Sequence, residues 1–186
     1  MSTDFQHRFF SHKQLGTVNE SVEAAEELVS NYYKLSGSQM RHLNYDVKTA
    51  SHLAAQEMTD VHFAQIVRYK ARKENTLLET EADDFYKICL QDPVILEALE
   101  QSPKLLLYPF VLYVVCHELI HVVRFRRFLQ HFHATAQQRQ AEEAKVHHLT
   151  HRVLERARIA HVEPVFRFYE KWHQAFHDMQ AFETGH

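Results

Sequence analysis

The stretch Leu105–Val123, LLLYPFVLYVVCHELIHVV, contains no Lys or Arg and is bounded by Lys104 and Arg124. Twelve uncharged, mostly large apolar residues (Leu105 to Cys116) run unbroken into His117-Glu118-Leu119-Ile120-His121. The length suits a membrane-spanning helix. An acidic residue deep in lipid, however, costs about 2–3 kcal/mol or more, and three ionisable groups sit together here. A buried central helix wrapped by amphipathic neighbours avoids that cost, so no membrane span is expected.

Working outward, this helix is predicted to continue to about Gln130, with Pro109 kinking it or starting it. On its N-terminal side, Asp92-Pro93 and Ser102-Pro103 are helix-start signals, so a short helix covers 93–100. Before that, residues 1–16 read as an arm ending at Gly16. Thr17 and Glu20 then form a capping-box pattern ahead of a helix that stops at Gly37. A long second helix is expected from about Asp46 to Arg72, with Val47, Ala50, Leu53, Ala54, Glu57, Val61 and Ala64 on one stripe. A third is expected from about Glu79 to Leu90. After a turn near 131–135, a helix from about Gln137 extends, bent at Pro164, to about Phe182. No segment reads as a strand. The expectation is an all-α, single-domain bundle (1–186) of five to seven helices around one central apolar helix.

Composition agrees with such a bundle. Only 3 Gly and 4 Pro in 186 residues leave few turns. A net charge of -3 argues against a dedicated nucleic-acid binder. The two cysteines, Cys89 and Cys116, form no CxxC pair and read as reduced core residues. With no secretory signal at Met1–Arg8, they suggest a cytoplasmic protein. Sixteen histidines are the chemical outlier.

His117 and His121 stand one helical turn apart, about 6 Å along the axis, so both imidazoles can reach one metal. Glu118 and His121 form a Glu-x-x-His pair on the same helix. Ionisable groups in so apolar a helix are costly unless paired or metal-bound. The following helix carries Glu142, Glu143, His147 and His148. If the two helices form a hairpin centred near residue 132, His121 faces Glu143 and His117 faces His147. A shifted turn brings Glu142 or His151 forward instead. Glu57, at the middle of the predicted second helix, would add an inward carboxylate. Its alternative is a core carboxylate paired with Arg68 or a tyrosine. The expected metal ligands are thus Glu57, His117, Glu118, His121, Glu143 and His147, with Glu118 also the catalytic candidate.

These residues resemble the ferritin-like di-iron carboxylate bundles. Only Glu118-x-x-His121 matches that family's spacing, since Glu143-x-x-x-His147 has one residue too many. The resemblance implies a non-haem iron or manganese site with an oxidase, oxygenase or other O2-linked role. O2 or a small molecule would then be the partner, and a homo-oligomer stays open. In one stretch the chain also resembles a gluzincin-type zinc hydrolase. That resemblance implies His117 and His121 as ligands, Glu118 as general base, and Glu142 or Glu143 as third ligand. The lack of a strand to hold a peptide weighs against it. His173-x-x-x-x-Asp178 and His147-x-x-x-His151 echo hemerythrin-like spacings. A metal-free helical interaction protein is the remaining alternative.

Overall fold

Ser11 opens the first helix. Its hydroxyl accepts from the Gln14 N–H while the Gln14 side chain accepts from the Ser11 N–H, a reciprocal cap that starts α1 (His12–Tyr33). The helix therefore begins more than a turn before Thr17, and Gly16 lies inside it rather than ending an arm. Lys34, at φ 54°, closes α1 in the left-handed conformation. The computed structural model describes residues 8–70, 84–127 and 135–171.

After the short α2 (Gly37–Arg41) come β1 (Tyr45–Lys48), β2 (Ala64–Tyr69) and β3 (Phe85–Leu90). They form a three-stranded sheet in the order β1-β3-β2, with β1 parallel and β2 antiparallel to β3. Helices α3 (Asp92–Gln101), α4 (Leu107–Arg127), α5 (Ala136–Ala157) and α6 (163–171) follow.

The sheet corrects the all-α expectation. The predicted helix Asp46–Arg72 is instead β1, two single turns of 3-10 helix (Ala50–His52 and Ala55–Glu57) and β2, with residues 71 and 72 outside the described residues. The predicted Glu79–Leu90 helix is β3 over its described part. The reason lies in period. Tyr86, Ile88 and Leu90 alternate and are all buried, and Ile88 lies opposite both Val47 and Ile66. Such short apolar runs fit a helical stripe as readily as a strand; pairing with distant segments decides. The last predicted helix is also corrected. Arg158 (φ 51°) and His161 (φ 60°) turn the chain in left-handed backbone, and Pro164 sits in the first turn of α6 instead of bending a continuous helix.

α4 is the centre. Every residue from Pro109 to Val123 except Glu118 and His121 is buried. It packs against α1, α5, β2 and β3. It is long and apolar enough to cross a membrane, but its apolar window is 78% buried inside the fold. Aromatic contacts set the sheet along it: Phe63 meets Phe110 edge-on at 5.0 Å near one end, and Tyr86 stacks on Phe125 at 5.8 Å near the other. Buried Asp92 ties three segments together by accepting from Phe10 N–H (3.0 Å) and Ala50 N–H (2.8 Å).

Glu57 belongs to this framework and not to a helix beside α4. Its carboxylate receives Lys87 Nζ at 2.9 and 2.7 Å, the Ala54 N–H at 2.7 Å, and the Tyr69 hydroxyl. Its carbonyl accepts from the side chains of Gln65 and Gln91. The Lys87 hydrogen bond, then those from Tyr69 and Ala54, hold the carboxyl down at about 2. Relative to an ordinary value of 4.5, that stabilisation is complete above pH 4.5 and is lost as pH falls through about 2. Glu57→Gln leaves Lys87 facing a neutral amide and is expected to cost about 3 kcal/mol at pH 7 by urea unfolding. The gap between variant and wild type should narrow steadily from pH 4.5 to 2.

Candidate metal centre

Two helical ladders face each other across the α4–α5 interface. Tyr113, His117 and His121 repeat every fourth residue on α4, and Glu143, His147 and His151 do so on α5. α5 starts at a reciprocal cap between Thr135 and Gln138, which sets its phase relative to α4. The helices are antiparallel neighbours in the register that places His121 against Glu143 and His117 against His147. The His117 and His147 ring centroids lie 4.2 Å apart.

Glu143 is the focus. His117 Nε2 lies 2.9 Å from its Oε1, His121 Nε2 lies 3.1 Å from its Oε2, and His147 Nε2 lies 3.3 Å from its Oε1. His117 Nε2 and His121 Nε2 are themselves 3.2 Å apart. His117, Glu143 and His147 offer donor atoms all within 4.8 Å of one another. The histidines are buried or nearly so, while the Glu143 side chain is 44% exposed, so the cluster opens to solvent on the α5 side.

With Glu143 ionised, protons alone leave one contact of this cluster unmatched. Burial alone would raise the Glu143 carboxyl, but the charge and hydrogen bonds of His117, with those of His121 and His147, hold it far below the usual range. An ionised carboxylate only accepts, so His117 and His121 must both present Nε2–H to it. Two N–H groups then confront each other at 3.2 Å. Removing one proton relieves that contact and sets a lone pair against a carboxylate oxygen instead. His117, His121 and Glu143 could hold a cation here through the two Nε2 atoms and the carboxylate. Donors on a tetrahedral ion with bonds of about 2.0–2.1 Å stand about 3.3 Å apart, close to the separations found here.

Burial drives His117 down to about 3, against the upward pull of the Glu143 charge and hydrogen bond. Burial also pulls His121 down, but the Glu143 hydrogen bond and charge, with Glu118 and Glu142, outweigh it and the net shift is upward. The outer Nδ1 atoms of His117 and His121 are buried with no hydrogen-bond partner among the described residues.

Two of the expected ligands stand apart. Glu57 has both oxygens engaged in the sheet. Glu118 is partly buried and has no hydrogen-bond or ion-pair partner among the described residues. Burial pushes its carboxyl up to about 7, and Glu143 adds to the rise. Glu142 is taken by Arg124, whose Nη2 donates to Oε2 at 3.0 Å and whose Nε donates to Oε1. That ion pair pins α5 one residue away from Glu143 and turns Glu143 inward.

Sequence reasoning missed Tyr113. It is wholly buried, its hydroxyl is 2.7 Å from His147 Nδ1, and its ring stacks on Tyr169 of α6 at 4.1 Å. The available signal was its spacing, one turn before His117.

No protein-family model, no curated protein and no solved structure matches this chain.

The Arg124–Glu142 pair gives a direct test of what sets the register. Arg124→Met leaves Glu142 half-enclosed without a partner and is expected to cost about 3 kcal/mol. Arg124→Met combined with Glu142→Leu should recover most of that in the same urea titration, because no uncompensated charge remains.

Proposed function

We propose that the protein is a zinc-dependent hydrolase acting on peptide or amide bonds, with the ion held by His117, His121 and Glu143. The carrying observation is the meeting of two imidazole nitrogens, 3.2 Å apart, with the two oxygens of one carboxylate: His117 Nε2 lies 2.9 Å from Oε1 and His121 Nε2 lies 3.1 Å from Oε2. A nitrogen-rich set with a single carboxylate suits zinc better than a di-iron centre, which needs several carboxylates. Glu57 is engaged by Lys87 in the sheet, and Glu118 makes no hydrogen bond or ion pair with His117, His121 or Glu143 among the described contacts.

The placement of Glu118 supports hydrolysis. It neighbours His117 in sequence and feels the charges of His121 and Glu143, so its carboxylate would be the group to take a proton from water beside an ion held there. A zinc ion there would supply Lewis-acid polarisation of a carbonyl and a more acidic water. The open Glu143 side provides access.

The sheet removes the earlier objection that a peptide would have no strand to lie on. β2 pairs only with β3 among the described strands, so its other edge is available to an extended chain. It also lies on the side of the centre: Phe63, just before β2, packs 6.0 Å from Tyr169, which lies 5.6 Å from His147. Tyr69, the last residue of this strand, and Val61, three residues before its start, are exposed.

The test uses protein purified without an affinity tag. Elemental analysis should find one zinc per chain, and a fluorescent-labelled unfolded protein should be cleaved. Glu118→Gln should keep the zinc and lose cleavage by 100-fold or more, on the order expected for a lost general base. His121→Ala should lose both. Loss of zinc in Glu118→Gln would make Glu118 a ligand and return the carboxylate-bridged alternative to first place.

A further inference from the structure

The metal reading leaves His147 unexplained. It contributes a third imidazole, which either fills a coordination position or serves Glu143 from outside. Hydrogen-bond direction separates the two. Tyr113 is fully buried between α4, α5 and α6, and its hydroxyl has His147 Nδ1 at 2.7 Å. On the far side of the same ring, Nε2 lies 3.3 Å from Glu143 Oε1. The ionised oxygen can only accept, so Nε2 carries the proton. A neutral ring then has a bare Nδ1, which accepts from the Tyr113 hydroxyl. Every donor in this chain has an acceptor, in contrast to the triangle around His117 and His121.

We infer that Tyr113 and His147 form a relay, Tyr113 O–H to His147 Nδ1 and His147 Nε2–H to Glu143 Oε1, that holds the ligand carboxylate in place. His147 is then a positioning residue and not a ligand. Glu143 needs such a restraint. Its side chain is 44% exposed, and His117 and His121 hold its two oxygens from α4 alone, leaving His147 as the contact made from its own helix. The relay is anchored by packing: Tyr113 stacks on Tyr169 at 4.1 Å, and His151 stacks on Phe166 at 4.1 Å one turn along. Removing an outer-sphere partner of this kind weakens metal binding without deleting a metal bond.

This inference rests on the metal centre proposed above, and its test keeps the two apart. The whole chain is stripped of metal, and zinc affinity is measured by competition with a chromogenic chelator. Cobalt(II) absorption reports the ligand set. His147→Gln keeps an N–H near the Nε2 position and is expected to bind zinc within about threefold of wild type, whereas His147→Ala and Tyr113→Phe should bind about 10- to 100-fold more weakly. The cobalt spectrum of His147→Gln should match wild type. Tyr113→Phe retains the stacked ring, so its metal-free melting curve should stay close to wild type. Wild-type zinc affinity in His147→Ala or in Tyr113→Phe would overturn the relay. So would a His147→Gln protein as weak as His147→Ala with an altered cobalt spectrum, because His147 would then be a ligand. A wild-type protein that takes up neither zinc nor cobalt would overturn the metal centre itself.

Discussion

The contact between the Glu143 carboxylate and the two imidazoles of α4 is the constraint on which the rest of the structure turns. α4 is a nearly all-apolar helix that carries ionisable groups into its own core, and such groups are tolerable only with partners. The partners come from α5, so α5 must lie in one register. The Arg124–Glu142 ion pair sets that register from the neighbouring residue. The remaining faces of α4 are then left to α1 and to the sheet. Packing and chemistry are therefore solved together: the side chains that place α5 also build the cluster.

The molecule holds two carboxylates that each meet several partners, one enclosed and one open to solvent, and the contrast is informative. Glu57 is 1% exposed and meets Lys87, Tyr69 and a backbone N–H, all donors aimed at an acceptor. Its position is fully accounted for by protons, and its role is to join β2, β3 and the turns between β1 and β2. Glu143 meets rings that also crowd one another. The first arrangement is complete as it stands, whereas in the second the two α4 rings share one carboxylate and lie 3.2 Å from each other. The nature of the neighbours distinguishes a framework carboxylate from a candidate ligand, and burial alone does not.

Much of the helical part was legible in the chain. The unbroken apolar run into His117-Glu118-Leu119-Ile120-His121 marks α4, and the short span to the next periodic segment fixes an antiparallel hairpin. With the turn centred near residue 132 they bring His117, His121, Glu143 and His147 together, while a shifted turn would have put Glu142 or His151 there instead. The sheet was not legible, because Val47, Ile66 and Ile88 earn their strand conformation from one another across long stretches of chain. Glu57 was misplaced for the same cause: a helical stripe was drawn through residues that the sheet separates. The alternative of a carboxylate paired with a tyrosine describes it in part, through Tyr69. The reversal between α5 and α6 has no glycine to announce it, since Arg158 and His161 adopt positive φ themselves. Tyr113 looked like one more apolar residue of α4, and only the position of His147 gives its hydroxyl a purpose.

The order of the strands carries a consequence for how the chain reaches this state. β3 is the central strand, yet it is the last of the three to be synthesised, and β1 and β2 pair with it and not with each other. On a ribosome adding about 5–20 residues per second, β1 waits on the order of 2–8 s for its partner to appear. α1 waits longer still, because its main packing surface is α4. During that interval two short strands and an amphipathic helix are present without the surfaces they bury against. Folding is therefore back-loaded, and the nascent chain commits to its sheet only after residue 90 has emerged.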